Sequence, residues 1–157
     1  MANRPLHALV VAALAALFSP ATAAIDYSSV VAPAILYDSP AERGSKPLFI
    51  IRTGTPVEVV LVLNGATPNL PTWVKVRDPS GALSWINQTS LARRRTVLVT
   101  AEQATVLRDP NAASAVAFTV ARDVVLDYIG TNADGWVQVR HADGSGGYLR
   151  ASEVWGL

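Results

Sequence analysis

Apolar and polar residues alternate in two short runs of the chain, Trp-Val-Lys-Val-Arg at 73–77 and Trp-Val-Gln-Val-Arg at 136–140. Successive side chains of a β-strand point to opposite faces, so the valines of each run share one face while the Trp and the Arg share the other. A turn rich in Asp, Ser and Gly follows each run, and an apolar segment with an aromatic residue follows each turn. Each run therefore predicts a β-hairpin with a valine core face.

The two hairpins are copies of one unit. Their leading residues, Trp73 and Trp136, lie 63 positions apart, and twelve positions after each comes a second aromatic residue, Trp85 or Tyr148. An apolar residue follows six positions later in both copies. Such self-similarity at fixed spacing indicates that one structural unit has been used twice.

Further short strands are predicted on the N-terminal side of each hairpin. Apolar runs bounded by Pro and Gly turns occur at 34–37, 47–51 and 57–63, with counterparts at 105–107, 114–120 and 123–129. We find no convincing helical periodicity outside the N-terminal segment. About five short strands in each unit, with turns between them, predict an all-β chain built from two small barrels.

We place the first barrel at 34–95 and the second at 96–157. The preceding residues, 24–33, show no clear periodicity and are interpreted as a lead-in segment. The β-branched run at 96–100 is either the last strand of the first barrel or the first strand of the second.

Three arginines, Arg93, Arg94 and Arg95, join the two units. They are interpreted either as a solvated linker or as cations that contact anionic groups. Those groups would be acidic groups of the cell envelope or carboxylates of the adjoining barrel. An extended triplet points its side chains alternately to two sides, so at most two of the three would act together.

The N-terminus has the composition of a secretory signal peptide. Arg4 precedes an uninterrupted apolar run at 8–18, and Ser-Pro-Ala-Thr-Ala follows at 19–23. The apolar run is too short to span a bilayer, which takes roughly 20 residues. We therefore predict cleavage near Ala23, a periplasmic or secreted protein, and no membrane span after cleavage.

The sequence contains no Cys, so the mature chain is expected to lack disulfides and a lipid attached to cysteine. Removal of Arg4 with residues 1–23 lowers the formal net charge from +1 to 0. A nucleic-acid partner, which would need a concentrated basic surface, is therefore not expected.

The order of these features resembles the bacterial Src-homology-3-like (SH3b) domain. The features are a strand, a polar loop, further strands, Trp-Val-x-Val-Arg, a Gly turn, Ser-Trp-Ile or Gly-Tyr-Leu, one polar turn and a closing apolar residue. The chain is most similar to the exported proteobacterial type with a Trp-x-Lys-Val-Arg strand, in two tandem copies. The resemblance implies two partly open SH3-like β-barrels after a cleaved signal peptide, acting as binding or targeting modules of the cell envelope.

The resemblance also suggests where a ligand would bind. It places Trp136, and by repeat Trp73, at the position of the tryptophan that lines the proline-peptide groove of eukaryotic relatives. The other wall of that groove differs, because 149–153 and 86–90 lack the Pro and Tyr of the relatives. Proline-rich helices are therefore not the expected ligands.

A tryptophan beside an arginine, on the face opposite a valine core, is the composition of a contact hot spot. The candidate groove residues are Trp73, Arg77, Trp85, Trp136, Arg140 and Tyr148. We expect Val137 to face the core and Trp136 to be partly exposed beside Arg140 and near Tyr148. The alternative is that Trp136 covers an open edge of the barrel.

Catalysis is not expected. A papain-like amidase needs a Cys nucleophile and a His base, yet the sequence has no Cys and the mature chain has one His, His141, in a predicted turn. A zinc site fails for the same reason. A glycosidase needs two carboxylates across a cleft, whereas the chain's carboxylates fall on predicted strand faces and in turns. We therefore predict no cofactor and no metal.

The predicted function is non-catalytic binding in the cell envelope, with peptidoglycan or its stem peptides as the leading ligand. The alternative is a periplasmic adaptor that recognises a partner protein. An unrecognised hydrolase is the third hypothesis.

Overall fold

A computed structural model describes residues 26–41 and 43–157. The predicted signal peptide, 1–23, lies outside these residues. The described chain is all-β, as the sequence predicts, and forms two seven-stranded antiparallel sheets. The strands of the first sheet are β1 Asp26–Val30, β2 Ala34–Tyr37, β3 Pro47–Ile51, β4 Pro56–Leu63, β5 Trp73–Arg77, β6 Leu83–Asn87 and β7 Leu91–Ala92. The strands of the second are β8 Thr96–Val99, β9 Gln103–Leu107, β10 Val116–Ala121, β11 Val125–Thr131, β12 Trp136–Arg140, β13 Gly146–Arg150 and β14 Val154–Trp155.

The two sheets have the same topology. The strand order is β3-β2-β6-β5-β4-β1-β7 in the first and β10-β9-β13-β12-β11-β8-β14 in the second, so adding seven to each number converts one into the other. A single turn of 3-10 helix, Gln88–Ser90 or Ala151–Glu153, precedes the last strand of each sheet. Neither sheet closes into a complete barrel.

The lead-in expected at 24–33 contains a strand. Asp26–Val30 pairs with β4 on one side and with β7 on the other, so the first sheet begins before residue 34. The apolar pattern of the sequence does not reveal this strand, because one of its two buried residues, Ser29, is polar. The three residues before Ser29 are not fully buried. The ambiguous run at 96–100 supplies β8, the first strand of the second sheet. The division into domains at 34–95 and 96–157 stays a prediction.

Each sheet encloses its own apolar core. Val74 and Val76 are buried in the first core, and Val137 and Val139 in the second, as the alternation predicts. In the hairpin register, Val74 lies opposite Ile86, and the equivalent pair in the second unit is Val137 and Leu149. Burial of one such aliphatic side chain contributes roughly 1.5 to 3 kcal/mol, which fixes the valine face as the interior.

The hairpin turns use the same Asx geometry twice. Oδ1 of Asp78 accepts hydrogen bonds from the backbone N–H of Ser80 at 2.8 Å and of Ala82 at 3.1 Å. In the second turn, Oδ1 of Asp143 accepts from the backbone N–H of Ser145 at 2.8 Å and from its hydroxyl. The carboxylate thus closes each turn on itself, as short polar side chains commonly do.

The linker connects the two units through its side chains and backbone. The guanidinium of Arg94 forms an ion pair with Asp127 on β11, and the carbonyl of Arg94 accepts a hydrogen bond from Ser29 Oγ at 2.6 Å. Thr96 Oγ1 donates to the carbonyl of Gly54 at 2.6 Å. Arg94 therefore makes one of the two predicted kinds of contact, with a carboxylate of the adjoining unit.

Arg95 lies between two tyrosines, one from each unit. Its guanidinium carbon is 4.3 Å from the ring centre of Tyr128 and 5.8 Å from that of Tyr27, within cation–π range. Its Nη2 donates to the carbonyl of Gly156 at 3.1 Å. Burial raises the pKa of the Tyr27 phenol, and Glu58 adds to this, whereas the charge of Arg95 acts in the opposite direction. The third arginine, Arg93, is exposed.

We expect Val137→Asp to unfold the second unit, because an unpaired carboxylate would replace a fully buried methyl-bearing side chain. The expected loss is at least about 3 kcal/mol of unfolding free energy, measured by urea denaturation. Val116→Asp is the matched control, since Val116 is 55% exposed and should tolerate the charge. Equal stability of the two variants would contradict the proposed core face.

We expect Asp143 to titrate with a pKa of about 2, below its ordinary value of 3.8, chiefly because Ser145 donates two hydrogen bonds to the carboxylate. A lowered pKa favours the folded state above pH 3.8, and this contribution disappears as the pH falls through about 2. NMR titration of the carboxyl carbon measures it. Ser145→Ala should move the pKa of Asp143 towards 3.8, whereas Ser80→Ala in the first turn should leave it unchanged.

Candidate functional site

A groove in the first unit has Trp73 at its base. Its walls are the loop after β2 and the loop between β4 and β5, and its volume is about 590 Å³. Among the described residues, the walls carry apolar side chains together with one cation; the residues used below are Pro40, Arg43, Leu63, Leu70 and Pro71. Trp73 itself is only 4% exposed, so little of its ring is accessible to solvent in the groove.

The chain builds the groove from a tightly folded loop. The backbone N–H of Leu70 donates to the carbonyl of Thr67 at 3.0 Å, which turns the loop back on itself. A Cβ on Gly65 would lie 2.5 Å from the carbonyl oxygen of Leu70, so this approach requires glycine. The fold of the loop leaves the Leu70 side chain 53% exposed. Tyr37 packs against Trp73 with the two rings nearly perpendicular, at 87°, and their centres 5.6 Å apart.

The groove can hold a short ligand that combines aliphatic groups with one anionic group. Leu63 and Leu70 are both about half exposed, so an aliphatic group that covers them removes apolar surface from water and makes binding more favourable. Arg43 is exposed at the same groove and can donate paired hydrogen bonds to a carboxylate. This combination of apolar walls and few polar groups is typical of ligand sites.

At the corresponding position of the second unit, an arginine side chain covers the tryptophan. The guanidinium carbon of Arg150 lies 3.8 Å from the ring centre of Trp136, and Trp136 is only 5% exposed. In the pairing register, Arg150 stands opposite Trp136 where Asn87 stands opposite Trp73. The expectation of a partly exposed Trp136 is therefore wrong. Its burial agrees with the alternative in which this tryptophan covers part of the barrel.

Loop length explains the difference between the two units. Nine residues, 64–72, separate β4 from β5, whereas four, 132–135, separate β11 from β12. In the short loop the side chain of Asn132 accepts a hydrogen bond from the backbone N–H of Trp136 at 3.0 Å. Arg150 also reaches the carbonyl of Asp134, at 3.4 Å. The short loop therefore lies close to the covered tryptophan and leaves no second wall.

The other residues predicted for the groove lie elsewhere on the outer face. Arg77 forms an ion pair with Glu58 at 2.9 Å. Trp85 is half-buried beside Lys75, whose Nζ is 5.9 Å from its ring centre. Arg77 and Trp73 share one face as predicted, but four residues of extended strand separate them by roughly 13 Å. They therefore do not meet in one groove.

Arg140 and Tyr148 come together in a second cavity, of about 280 Å³. Arg108 and Gln138 complete its polar lining, and Trp136 is not part of it. The six predicted residues thus divide among three places: Trp73 in the groove, Arg140 and Tyr148 in this cavity, and the other three outside both.

Sequence reasoning missed the groove walls, Leu63, Leu70 and Arg43. One pattern could have indicated them. At the end of β4 the first unit has Leu61-Val62-Leu63, where the paired register of the second unit places Gly130-Thr131-Asn132. Apolar residues that continue past the core region, into a longer loop, indicate a surface that the second unit lacks.

Residues 26–41 and 43–157 contain no group of three or more His, Cys, Asp or Glu that could hold a metal ion. His141 lies in the second hairpin turn, with Nδ1 3.1 Å from Oδ2 of Asp143. No helix in the part of the chain that the structure describes is long and apolar enough to cross a membrane.

Residues 100–156 match the sequence model of the family described as "Bacterial SH3 domain". The matched segment begins just after β8 and includes β9 to β14. The second sheet is therefore similar to this domain, which confirms the resemblance for that part of the chain.

Three solved structures share a low overall similarity with the chain. NlpC2 from Trichomonas vaginalis is 15% identical with a TM-score of 0.35, covering 83% of this chain and 48% of its own. NlpC1 from the same organism is 15% identical with a TM-score of 0.35, covering 87% and 47%. An NlpC/P60 family protein from Bacillus cereus ATCC 10987 is 16% identical with a TM-score of 0.33, covering 82% and 55%. The chain spans about half the length of each. No curated protein matches the chain.

The burial of Trp136 leads to a prediction about stability. Trp136→Ala should cost about 3 to 5 kcal/mol, as expected when a buried tryptophan is truncated. Trp85→Ala is the control, because Trp85 is half-buried on the outer face and should cost less. Urea denaturation of both variants measures the difference. A smaller loss of unfolding free energy for Trp136→Ala than for Trp85→Ala would contradict the conclusion that Trp136 is buried under Arg150.

Proposed function

We propose that this protein is a non-catalytic binding module of the cell envelope, and that the groove at Trp73 holds its ligand. The observation that carries the proposal is the apolar groove itself; at the corresponding place in the second unit, which has the same topology, Arg150 covers Trp136. The similarity of residues 100–156 to the bacterial SH3 domain supports a binding role. We also propose that both units, the sheets β1–β7 and β8–β14, are SH3-like domains, since their strand orders correspond.

The proposed ligand is peptidoglycan, recognised through its stem peptides. These are short peptides that combine small aliphatic side chains with carboxylates. The walls at Leu63, Leu70 and Pro71 suit the aliphatic groups, and Arg43 suits a carboxylate. The volume of about 590 Å³ is in the range of small-ligand sites and admits a few residues of an extended chain.

Export is part of the same proposal. The segment 1–23 has the charged start, apolar run and small-residue end of a signal peptide. The mature protein would then meet peptidoglycan in the periplasm or outside the cell.

The absence of catalysis is likewise proposed from composition. Without Cys, and with a single mature His that lies in a turn beside Asp143, the chain lacks the nucleophile and base of an amidase. Binding affinity, rather than turnover, is therefore the property to measure.

A second candidate function, a protein-interaction adaptor, is favoured by strand β3. This strand lies at the edge of the first sheet, and Leu48, Phe49 and Ile50 are 44%, 43% and 67% exposed. An exposed apolar edge strand can pair with an extended segment of another protein. The equivalent edge in the second sheet, β10, has Ala117 and Thr119 at the positions of Leu48 and Ile50.

Sedimentation with purified cell-wall sacculi tests the proposed function. We expect the protein to co-sediment and Leu70→Ser to weaken binding by about tenfold, because an aliphatic contact of the groove is lost. Val116→Ser is the matched control, since Val116 is as exposed as Leu70 but lies outside the groove.

The contribution of the Arg43 charge to binding is tested separately. Arg43→Gln should weaken sedimentation, whereas Arg52→Gln, at an exposed arginine outside the groove, should not. Failure of the unmodified protein to sediment would reject peptidoglycan as the ligand. Sedimentation that is insensitive to both groove variants would reject the groove. Sensitivity to Ile50→Lys alone would favour the edge strand as the binding surface.

A further inference from the structure

The second cavity, in the second unit, is lined by two arginines and two further hydrogen-bonding side chains. Arg108 directly follows β9, Gln138 and Arg140 lie on the outer face of β12, and Tyr148 lies opposite Gln138 on β13. Arg108 and Arg140 are both exposed to solvent. The cavity volume is about 280 Å³, enough for a small group but not for a folded partner.

Neither arginine of this cavity has an acidic partner within 4.0 Å among residues 26–41 and 43–157. The nearby carboxylates are engaged elsewhere. Asp127, which stands opposite Arg140 in the strand register, pairs with Arg94 of the linker. Asp109 accepts a hydrogen bond from Ser114, and Asp143 is held in its turn by Ser145.

The first unit has the same positions with the charges neutralised. Arg77 is the counterpart of Arg140 and forms an ion pair at 2.9 Å with Glu58, which stands opposite it in the register. The counterpart of Arg108 is an acid, Asp38, since each follows the last residue of the equivalent strand. Two positive charges in the second unit thus correspond to one paired positive charge and one negative charge in the first.

The linker accounts for the free charge. Asp127 holds the position of Glu58 and would pair with Arg140 as Glu58 pairs with Arg77. Arg94 forms an ion pair with Asp127 instead, and Arg140, which lies near both in a neighbouring cavity, is exposed and makes no ion pair within 4.0 Å among the described residues.

We propose that this cavity binds a small oxyanion, a carboxylate or a phosphate, between Arg108 and Arg140. Guanidinium groups present paired N–H donors that match the oxygens of both anions. The Tyr148 hydroxyl and the Gln138 amide supply further donors to the same space. The site is separate from the groove at Trp73 and does not depend on the ligand of that groove.

NMR titration of the arginine Nε–H resonances tests the site. The probes are N-acetyl-alanine for a carboxylate and glycerol phosphate for a phosphate, added at constant ionic strength with chloride as the balance. We expect saturable shifts at Arg108 and Arg140 with at least one probe, and the tighter probe identifies the source of the oxyanion. Shifts that follow ionic strength alone, or no saturation with either probe, would overturn the proposal.

Substitutions test the two arginines. Arg140→Gln and Arg108→Gln should each weaken binding by about tenfold, because a charge-assisted contact is lost. Arg122→Gln is the control, since Arg122 is an exposed arginine paired with Glu102 away from the cavity. Because Arg108 lies outside the strands, its variant keeps the test valid if Arg140→Gln is poorly folded.

The linker contact gives the sharpest test. Arg94→Ala should weaken oxyanion binding, because Asp127 becomes free to pair with Arg140. The double variant Arg94→Ala with Asp127→Asn should restore it. Unchanged binding in Arg94→Ala would overturn the claim that the linker keeps Arg140 available, and failure of the double variant to recover would do the same.

Discussion

Packing of the valine face of β5 and β12 is the constraint on which each unit depends. With a side-chain period of two, burial of Val74 and Val76, or of Val137 and Val139, fixes the register of the neighbouring strands. It also assigns every intervening residue to the outer face. Core positions that differ between the units, such as Ile86 and Leu149, stay apolar because the inner face must still fill a core, whereas outer positions can change their chemistry.

The outer faces have diverged in two ways. The first unit has more apolar surface, since Leu61, Val62 and Leu63 stand where the second has Gly130, Thr131 and Asn132. The second has more unpaired positive charge, because Arg108 stands where the first unit has Asp38 and Arg140 lacks the ion pair that its counterpart Arg77 forms with Glu58. In the first unit, the longer loop at 64–72 turns the additional apolar surface into one wall of a groove. In the second unit, Arg94 pairs with Asp127, and Arg140 is left exposed without an ion pair. A duplicated scaffold has thus acquired two chemically different surfaces.

The sequence was sufficient for the hairpins because alternation and turn chemistry are local. It was insufficient for β1, whose residues are specified by pairing with β4 and β7 rather than by their own pattern. Trp136 shows the same limit, because the arginine that covers it is fourteen positions away and reaches it only through the β12–β13 register. The ion pair of Arg94 with Asp127 also depends on how the units meet, which neither unit's pattern encodes.

The linker has a consequence for ligands that are repetitive. Arg95 lies between Tyr27 and Tyr128, and Thr96 is hydrogen-bonded to Gly54, so the two units are held by contacts rather than joined by a flexible tether. A rigid spacing makes bivalent attachment selective. A polymer whose repeat matches the distance between two surfaces gains a high effective concentration for the second contact, and one with a different repeat gains none. Avidity for a polymer that contacts both proposed surfaces would therefore depend on the spacing of the polymer as well as on its chemistry.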